Sequence, residues 1–478
     1  MHRSLRQLMP DVHFSAEASL AALGHTLSAE RIAPVLEAFG LQTQRERKLP
    51  LGFVVLLIVA MNLFTDNAID DVLVKLLQGP SFLRPAGAEL AASKGAISQR
   101  RQQVGVRPLV ALVRAICRPL ATPHTLGAFL FNLRLMAIDG TVEDVADTPE
   151  NAAYFGYARG RRGQSAFPQV DVLYLCESGT HAICDVGFWP HHGKERTYAR
   201  RLLRSVGPGM LLMADAGLHS YDFCAGCVQR GAHFLDRVSG QLKLQPIQRL
   251  PDGSYLAELR PSDYSRHKRE ALVVRVIDYQ LDDPGWSGHG QRRRLITSLL
   301  DSARYPAHAL ACAYHERWEI ELTIDEVDTH QRLPRHPLRS RTPLGVLQEL
   351  YGLVLAHYAI RVVMHEAALR AGCDPERLSF TKTLRLLRCA VFEAQIVARE
   401  QFDGWYGQLL DRIGRLRLPA RDNRCNPRVV RRKMSNFDLK RDKHRQVLQP
   451  TKSFAEAVVI LGAPLAFPLP GGAQAAPN

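Results

Sequence analysis

The sequence is poor in cysteine and in aromatic residues, and its few cysteines are scattered. Nine of 478 residues are cysteine and 7% are aromatic. Cys224 and Cys227 form a CxxC pair, but no second CxxC completes a four-cysteine zinc site. We therefore interpret the cysteines as reduced, buried thiols of an intracellular protein. A metal or redox role for the CxxC pair is the alternative.

The sequence also lacks an apolar run long enough for a confident membrane span. The longest run, LGFVVLLIVAMNLF at 51–64, has 14 residues and predicts a buried helix. The N-terminal MHRSLRQLMPDVHF has no continuous apolar core of the kind found in signal peptides. We therefore expect a soluble, cytoplasmic protein with no membrane partner.

Acidic residues are too few to balance the basic ones. Lys and Arg number 62 against 47 Asp and Glu, which gives a formal net charge of +15. An excess of this size favours a polyanionic partner, such as nucleic acid, over an acidic protein. Hydrophobic residues make up 46% of the chain, which is enough to bury the cores of two or three domains.

The first part of the chain, residues 1–125, is predicted to be a helical domain that binds DNA. Apolar residues recur at helical spacing in three segments, at 28–39, 51–64 and 70–77. A fourth helix is predicted within 92–105, and it carries Arg100 and Arg101. These two arginines either contact DNA from a recognition helix or lie on a basic, solvated helix.

Strand-like segments begin near residue 132 and predict a mixed α/β core over 126–239. The candidates are strands at 133–139, 170–176, 181–188, 209–215 and 232–238, with an amphipathic helix at 194–206. Between the first two strands, the loop ARGRRG at 158–163 contains Arg161 and Arg162. This basic loop suits DNA phosphate, although a solvated loop explains it equally well.

The remaining chain divides into three predicted segments. Short strands separated by turns predict a β-rich insertion over 240–311, and the core resumes over 312–400 with a helix rich in acids. Residues 401–478 form a basic C-terminal region that ends in a tail predicted to be disordered. Within it, 421–446 holds ten Lys or Arg against three Asp. Three consecutive basic residues there are predicted to contact DNA, namely Arg431, Arg432 and Lys433.

Two aspartates stand at the ends of buried strand candidates. Asp139 follows LRLMAI, and Asp215 follows GMLLMA. Buried carboxylates are costly unless they are paired, hydrogen-bonded or bound to metal. Magnesium prefers carboxylate oxygens, and two such ions can activate an attacking oxygen and stabilise the leaving oxygen of a phosphodiester. These positions therefore suggest phosphoryl-transfer chemistry.

A third carboxylate is available in YHERWEIELTIDEVDTHQR, residues 314–332. Tyr314, Arg317 and Glu321 lie along one face of the predicted helix. Four other acids compete for the catalytic assignment, and spacing alone does not reject them: Glu319, Asp325, Glu326 and Asp328. Isolated acids on a helix are usually solvated, which is the expectation for those that do no chemistry.

These motifs resemble those of bacterial insertion-sequence transposases of the DDE class. In the insertion-sequence-four type, the third acid lies in a Tyr-x2-Arg-x3-Glu-x6-Lys signature, which Tyr314, Arg317 and Glu321 match. The run MAIDGTVEDVADTPENAAYFG at 136–156 resembles the first-aspartate motif, and LLMADAGLHSYDF at 211–223 resembles the second. The resemblance covers most of the chain.

The resemblance implies a fold, an activity and a set of site residues. It implies a ribonuclease H-like core with a β-rich insertion, preceded by the helical domain. Asp139, Asp215 and Glu321 would hold two Mg²⁺ ions, with Mn²⁺ as a substitute, and Tyr314 and Arg317 would contact DNA phosphate. Such a transposase binds the inverted-repeat ends of its own element, cuts them and joins them to target DNA, as a dimer on double-stranded DNA.

Two departures from the family pattern bear on activity. The signature lysine is replaced by Asp328, and Ala216 stands where many relatives carry arginine. An acid at position 328 cannot make the phosphate contact of a lysine, and His330 or Arg332 is a nearby substitute. A DNA-binding relative that has lost catalysis is therefore the alternative, whereas the positive charge disfavours a phosphohydrolase of small substrates.

Trp286 is a candidate DNA contact in the predicted insertion, in the turn DDPGWSGHG. An aromatic side chain there would stack on a flipped base or replace it near the cleavage site, as an insertion tryptophan does in some relatives. Packing of Trp286 on its own turn is the alternative.

Overall fold

The computed structural model describes the chain in ranges that leave out the N-terminal segment, the basic run and the C-terminal tail. The described residues are 27, 29–41, 49–77, 92–160, 163–191, 195–261, 270–332, 336–394, 401–419 and 448–462. The chain divides into two compact units. Unit 1 consists of Met1–Met213, Arg230–Ala232 and Arg317–Ala420, and unit 2 consists of Ala214–Gln229, His233–Glu316 and Arg421–Asn478.

The described helices follow one another along the chain as α1 Ala29–Ala38, α2 Leu51–Ala60, α3 Ile69–Leu77, α4 Lys94–Val104, α5 Arg107–Ile116, α6 Pro149–Phe155, α7 Glu195–Leu202, α8 Tyr221–Gln229, α9 Ala307–His315, α10 Glu319–Asp325, α11 Pro343–Ala371, α12 Phe380–Ala394, α13 Phe402–Gly414 and α14 Phe454–Ala457. Short 3₁₀ turns lie at Ser178–Thr180, Leu203–Ser205, Glu316–Trp318 and Pro375–Arg377, and a π-helical segment at Glu326–Gln331.

The described strands are β1 Phe129–Leu130, β2 Leu133–Asp144, β3 Arg159–Gly160, β4 Gly163–Gln164, β5 Gln169–Glu177, β6 Ala182–Pro190, β7 Met210–Ala214, β8 His233–Val238, β9 Pro246–Arg249, β10 Tyr255–Leu259, β11 Leu272–Leu281, β12 Arg293–Thr297 and β13 Val458–Ile460.

The sheet of unit 1 runs in the order β6, β5, β2, β7. Strand β5 is antiparallel to both β2 and β6, whereas β7 is parallel to β2, with Met213 opposite Ala137. Three antiparallel strands followed by a parallel neighbour are the arrangement expected at the start of a ribonuclease H-like core, so the predicted α/β fold class is confirmed. Asp139, however, does not end its strand, because pairing with β5 continues to Asp144.

Two apolar helices form the centre of the helical layer of unit 1. Eight of the ten residues of α2 are buried, as predicted for the apolar run at 51–64. Helix α11 begins at the capping residue Thr342 and ends at Gly372, which adopts φ 56°. A Cβ at Gly352 would lie 2.7 Å from the carbonyl oxygen of Ile58. Glycine is therefore required where α11 crosses α2.

Helix α11 is also long and apolar enough to cross a membrane, by length and composition alone. In its most apolar window, however, 83% of the residues are buried inside the protein. A helix that is apolar on all sides is expected when its whole surface is covered by neighbouring elements. Burial in the core of unit 1 accounts for its composition.

The sheet of unit 2 is antiparallel and runs in the order β8, β12, β11, β10, β9, with β13 paired to β11. Most of these strands come from the predicted β-rich insertion at 240–311. Arg275 is fully buried beneath this sheet, where it pairs with Asp252 and donates to the carbonyl oxygen of Tyr305 at 2.6 Å. The four boundaries between the five predicted domains stay predictions, and the one at residue 125 does not separate the two units.

Candidate active site

Asp139 lies on β2 in unit 1 and is held by two hydrogen bonds. Its Oδ1 accepts from the backbone N–H of Gly140 at 2.9 Å, and its Oδ2 accepts from Nη1 of Arg317, 178 residues away in sequence, at 2.9 Å. The Asp139 side chain keeps 23% of its surface exposed. The carboxylate is therefore fixed in direction and still open to solvent.

Glu321 lies on the other side of the same guanidinium. It is in the first turn of α10, and its Oε1 is 3.3 Å from Nη2 of Arg317. Arg317 itself is 9% exposed in its side chain, whereas that of Glu321 is 32% exposed. The guanidinium thus joins the first predicted catalytic acid to the third. These contacts hold both acids in a defined direction.

The other acids of the segment have different neighbours. Oε2 of Glu319 accepts from Nε2 of His181 at 3.0 Å, while Asp325 is half exposed beside His330 at 3.3 Å. Glu326 and Asp328 are turned into the protein. The expected solvation is therefore wrong for Glu326 and Asp328 and holds for Asp325.

Glu326 is the centre of a buried charge cluster. It pairs with Arg361, and its oxygens lie 3.2 Å from Nδ1 of His181 and 3.1 Å from Nε2 of His357. Burial raises the pKa of Glu326, but Arg361 and His181 outweigh it and lower that pKa well below its usual range. Burial and Arg361 also lower the pKa of His181, yet Glu326 and Glu319 together raise it to about 9. The cluster fixes the end of the segment that carries Glu321.

Asp328 occupies the position of the signature lysine and faces β2. Its Oδ2 accepts from the hydroxyl of Thr141 at 3.1 Å, and Thr141 shares a strand face with Asp139 two residues before it. The suggested substitutes for the lysine are committed elsewhere, because Arg332 pairs with Glu143 and His330 with Asp325. Asp328 is thus held by a hydrogen bond to β2, next to the predicted catalytic Asp139.

We expect Asp328→Asn to stabilise the protein in a pH-dependent way. Burial raises the pKa of Asp328 from 3.8 to about 7, so the folded state holds its proton where the unfolded state has lost it. The ionisation of Asp328 therefore lowers the free energy of unfolding of the wild type as the pH rises from 4 to 7. Asparagine does not ionise, so the variant avoids this loss. Thermal unfolding should show the variant gaining about 2–4 °C at pH 8, which corresponds to about 1 kcal/mol, and little at pH 4.

Asp325→Asn is the matched control, because it neutralises an exposed acid three residues earlier. An equal gain at pH 4 and pH 8 in Asp328→Asn would show that the side chain does not titrate as its burial requires.

Asp215 lies in unit 2, directly after β7. Its Oδ1 accepts from the N–H groups of Gly217 at 2.9 Å and Leu218 at 3.2 Å, which closes a tight turn after the strand. Tyr314 is buried, and its hydroxyl donates to the carbonyl oxygen of Ala214 at 3.2 Å. Tyr314 therefore holds the backbone beside Asp215, and its predicted contact with DNA phosphate stays a prediction.

The two arginines of α4 also have contacts within unit 1. Arg100 is 7% exposed and donates to Oε1 of Gln103 at 2.7 Å. Arg101 donates to Oε1 of Gln348 at 3.1 Å and to the carbonyl oxygen of Gly345 at 3.2 Å. Arg101 links α4 to α11, whereas Arg100 is buried and bonded within its own helix. The placement of these two arginines therefore gives no support to the predicted DNA contact.

The ring of Trp286 packs against residues outside its own turn. Its Nε1 donates to the carbonyl oxygen of Lys452 at 3.1 Å, and its ring meets His315 and Phe454 edge-on. A contact with a flipped base would require this packing to change. The remaining predicted DNA contacts lie outside the described residues, namely Arg161, Arg162, Arg431, Arg432 and Lys433.

Helical spacing did not reveal the residues that hold the acids. His181 precedes β6, and His357 and Arg361 both lie on α11, so the partners of Glu326 come from two elements distant from it in sequence. In the single sequence, only the unusual placement of charged residues within the otherwise apolar segment 344–364 signals Arg361 and His357.

Comparison with known proteins identifies two successive domains. Residues 17–114 match the N-terminal domain of insertion element 4 transposases, and residues 131–359 match the transposase DDE domain. Transposase InsG of insertion sequence element IS4 from Escherichia coli K12 is 28% identical over 418 residues, which are 86% of this chain and 92% of that protein. A solved piggyBac transposase synaptic complex with hairpin DNA is similar at a TM-score of 0.44 and 14% identity over 86% of each chain.

The two domains follow each other in the chain, and the second contains Asp139, Asp215 and Glu321. The chain therefore belongs to the insertion-element-4 family of DDE transposases and is a DNA transposase.

Proposed function

We propose that this transposase is catalytically active, and that it binds the inverted-repeat ends of its own element, cleaves them and transfers the strands to target DNA. The observation that carries the proposal is the Arg317 bridge. It joins Asp139 to Glu321 although the two acids come from separate parts of the chain. A copy that had lost catalysis would have no need to keep two partly exposed acids on one guanidinium.

The residues fit a pair of hard divalent cations. Asp139 and Glu321 offer carboxylate oxygens, which Mg²⁺ prefers, and both side chains are partly exposed to solvent and substrate. We assign Asp215 as the third ligand because its turn leaves Oδ2 without a hydrogen bond from the described residues. When bound, Mg²⁺ or Mn²⁺ ions would supply an activated attacking oxygen and charge stabilisation for the leaving oxygen.

Arg317 has two functions in this proposal. Its guanidinium offsets the repulsion between two neighbouring carboxylates, and its fixed fork holds them in one orientation. A phosphate group of DNA, like a carboxylate, presents two oxygens to a guanidinium fork, so Arg317 is also suited to bind the DNA backbone beside the scissile bond.

Double-stranded DNA is the partner that the charge of the chain favours. With a net charge of +15, the affinity for DNA should fall steeply as the salt concentration rises. Two ends must be brought together for transfer, so we propose a dimer on DNA. We place this activity in the bacterial cytoplasm.

A cleavage assay tests the proposal. The DNA that flanks this reading frame is scanned for inverted repeats, and duplexes that carry them are incubated with the protein and Mg²⁺ or Mn²⁺. We expect nicked and joined products that disappear with EDTA. Specific binding without either product in both metals would favour the alternative, a DNA-binding relative that has lost catalysis.

A further inference from the structure

Unit 2 contains a second cluster of metal-ligating side chains, which differs in chemistry from the acids of the candidate active site. It consists of His219, Cys224 and Asp236. His219 lies in the turn that follows Asp215, Cys224 in the first turn of α8, and Asp236 in the middle of β8. An imidazole, a thiol and a carboxylate on three different elements thus meet at one point.

The distances within this cluster are those of three corners of a zinc tetrahedron. Nδ1 of His219 is 3.2 Å from Oδ2 of Asp236, Sγ of Cys224 is 3.4 Å from the same oxygen, and Sγ is 3.6 Å from the same nitrogen. Ordinary zinc–ligand bonds in a tetrahedron give edges of about 3.3 Å for N to O, about 3.5 Å for S to O and about 3.6 Å for S to N. The three distances join the same three atoms, one from each residue, as a single bound ion requires.

The second oxygen of Asp236 is an observation that favours a bound cation. Asp236 is fully buried, and its Oδ1 accepts no hydrogen bond from the part of the chain that the structure describes. A buried carboxylate oxygen without a partner is costly, and a divalent cation at Oδ2 would neutralise the carboxylate. The side chain of His219 keeps 14% of its surface exposed, which leaves a route for an ion to enter.

The geometry points to a Zn²⁺ site formed by His219, Cys224 and Asp236, with water or Cys227 at the fourth corner. Thiolate and imidazole ligands select zinc over magnesium, so this ion is distinct from those of the candidate active site. The site joins the turn after Asp215 to α8 and β8, and therefore fixes the loop that presents Asp215. Cys227 is the second cysteine of the CxxC, one helical turn after Cys224 and also buried.

Proton release accompanies zinc binding at this site. A thiol that coordinates zinc is deprotonated. The apparent affinity for zinc should therefore rise with pH.

Metal analysis and cobalt spectroscopy of the full-length protein test the site. We expect about one zinc per chain after purification without chelator. After removal of zinc, added Co²⁺ should give the visible bands of a tetrahedral site and a thiolate-to-cobalt charge-transfer band. An excess of Mg²⁺ should not displace the cobalt. These readouts need no DNA, so they are independent of whether the protein cleaves DNA.

Variants assign the ligands. Cys224→Ser and Asp236→Asn should each lower the bound zinc at least tenfold, and Cys224→Ser should abolish the charge-transfer band. The matched control is Cys312→Ser, because Cys312 lies 3.8 Å from His308 in the same unit without an acid in the group, and it should keep both the zinc and the band. Absence of zinc and of a tetrahedral cobalt spectrum in the wild-type protein overturns the site even if the variants fail to fold. Unchanged zinc in Cys224→Ser also overturns it.

Discussion

Replacing Glu321 with glutamine is expected to lower DNA strand cleavage by about 10³-fold or more. The change keeps the size of the side chain but removes the negative charge that a divalent ion requires, and such an ion contributes several kcal/mol to the transition state. Arg317 keeps its contact with Asp139, so the fold around the acids should persist. Cleavage is measured on end-containing duplex with Mg²⁺, and DNA affinity by a separate binding assay at fixed salt.

Asp325→Asn controls for the loss of one negative charge from the same segment. Asp325 is four residues after Glu321 and is half exposed beside His330, so its neutralisation should leave cleavage nearly unchanged. DNA affinity should be equal or slightly higher in both variants, because each removes repulsion from phosphate. Normal cleavage by Glu321→Gln would remove Glu321 from the site.

The second large effect is expected on stability, from Glu326→Gln. The carboxylate of Glu326 neutralises Arg361, whose side chain is 1% exposed, and the protonated His181. Removing one partner of a buried ion pair leaves the other charge uncompensated, at a cost of about 3–5 kcal/mol in the free energy of unfolding. Urea unfolding at constant pH measures this loss, and the same variant should retain less active protein at elevated temperature.

The loss should also depend on pH, because His181 belongs to the cluster. Its pKa is raised from 6.5 to about 9 in the folded protein, so its contribution is complete below pH 6.5 and disappears as the pH rises through 9. The difference between wild type and Glu326→Gln should therefore shrink between pH 7 and pH 10.

Asp411→Asn is the control for this prediction. It breaks the pair between Asp411 and Arg370, in which both side chains are about half exposed, and such pairs contribute little. The unfolding curve should hardly move. A change in Glu326→Gln no larger than that of the control would contradict the assignment of Glu326 to a buried, charge-balanced cluster.

Much of the fold follows from periodicity in the sequence. The predicted helix at 28–39 contains α1, the one at 51–64 contains α2, and the predicted strand at 170–176 lies within β5. These elements bury one face or the whole surface, so their hydrophobic pattern carries the information. The hydrophobic pattern does not predict where a strand ends if the end is set by pairing with a neighbouring strand. Strand β2 continues past Asp139 because β5 remains paired with it.

The candidate site was only partly predictable, because its partners are distant in sequence. Spacing placed Tyr314, Arg317 and Glu321 on one helix face, but it gave no reason to bury Glu326 or to turn Asp328 onto Thr141. The π-helical segment that begins at Glu326 changes the direction of the side chains after it, and regular helical spacing does not anticipate this.

Two further features depended on tertiary contacts. From the sequence, Arg100 and Arg101 resemble surface arginines of a basic helix. The hydrogen bonds of Arg101 to Gln348 and Gly345 show that it is held against α11. The sequence offers no second CxxC to complete a zinc site, whereas in the structure β8 places Asp236 beside Cys224. A CxxC alone is weak evidence for a metal site. An imidazole and a carboxylate at tetrahedral spacing from the thiol are stronger evidence.

The most direct test of the catalytic assignment is a crystal structure of the protein with end-containing DNA and Mn²⁺, with the ions located by anomalous scattering. We predict manganese at about 2.0–2.2 Å from carboxylate oxygens of Asp139, Asp215 and Glu321, next to the scissile phosphate. Manganese bound by other residues, or absent from these three while DNA is in place, would contradict the assignment.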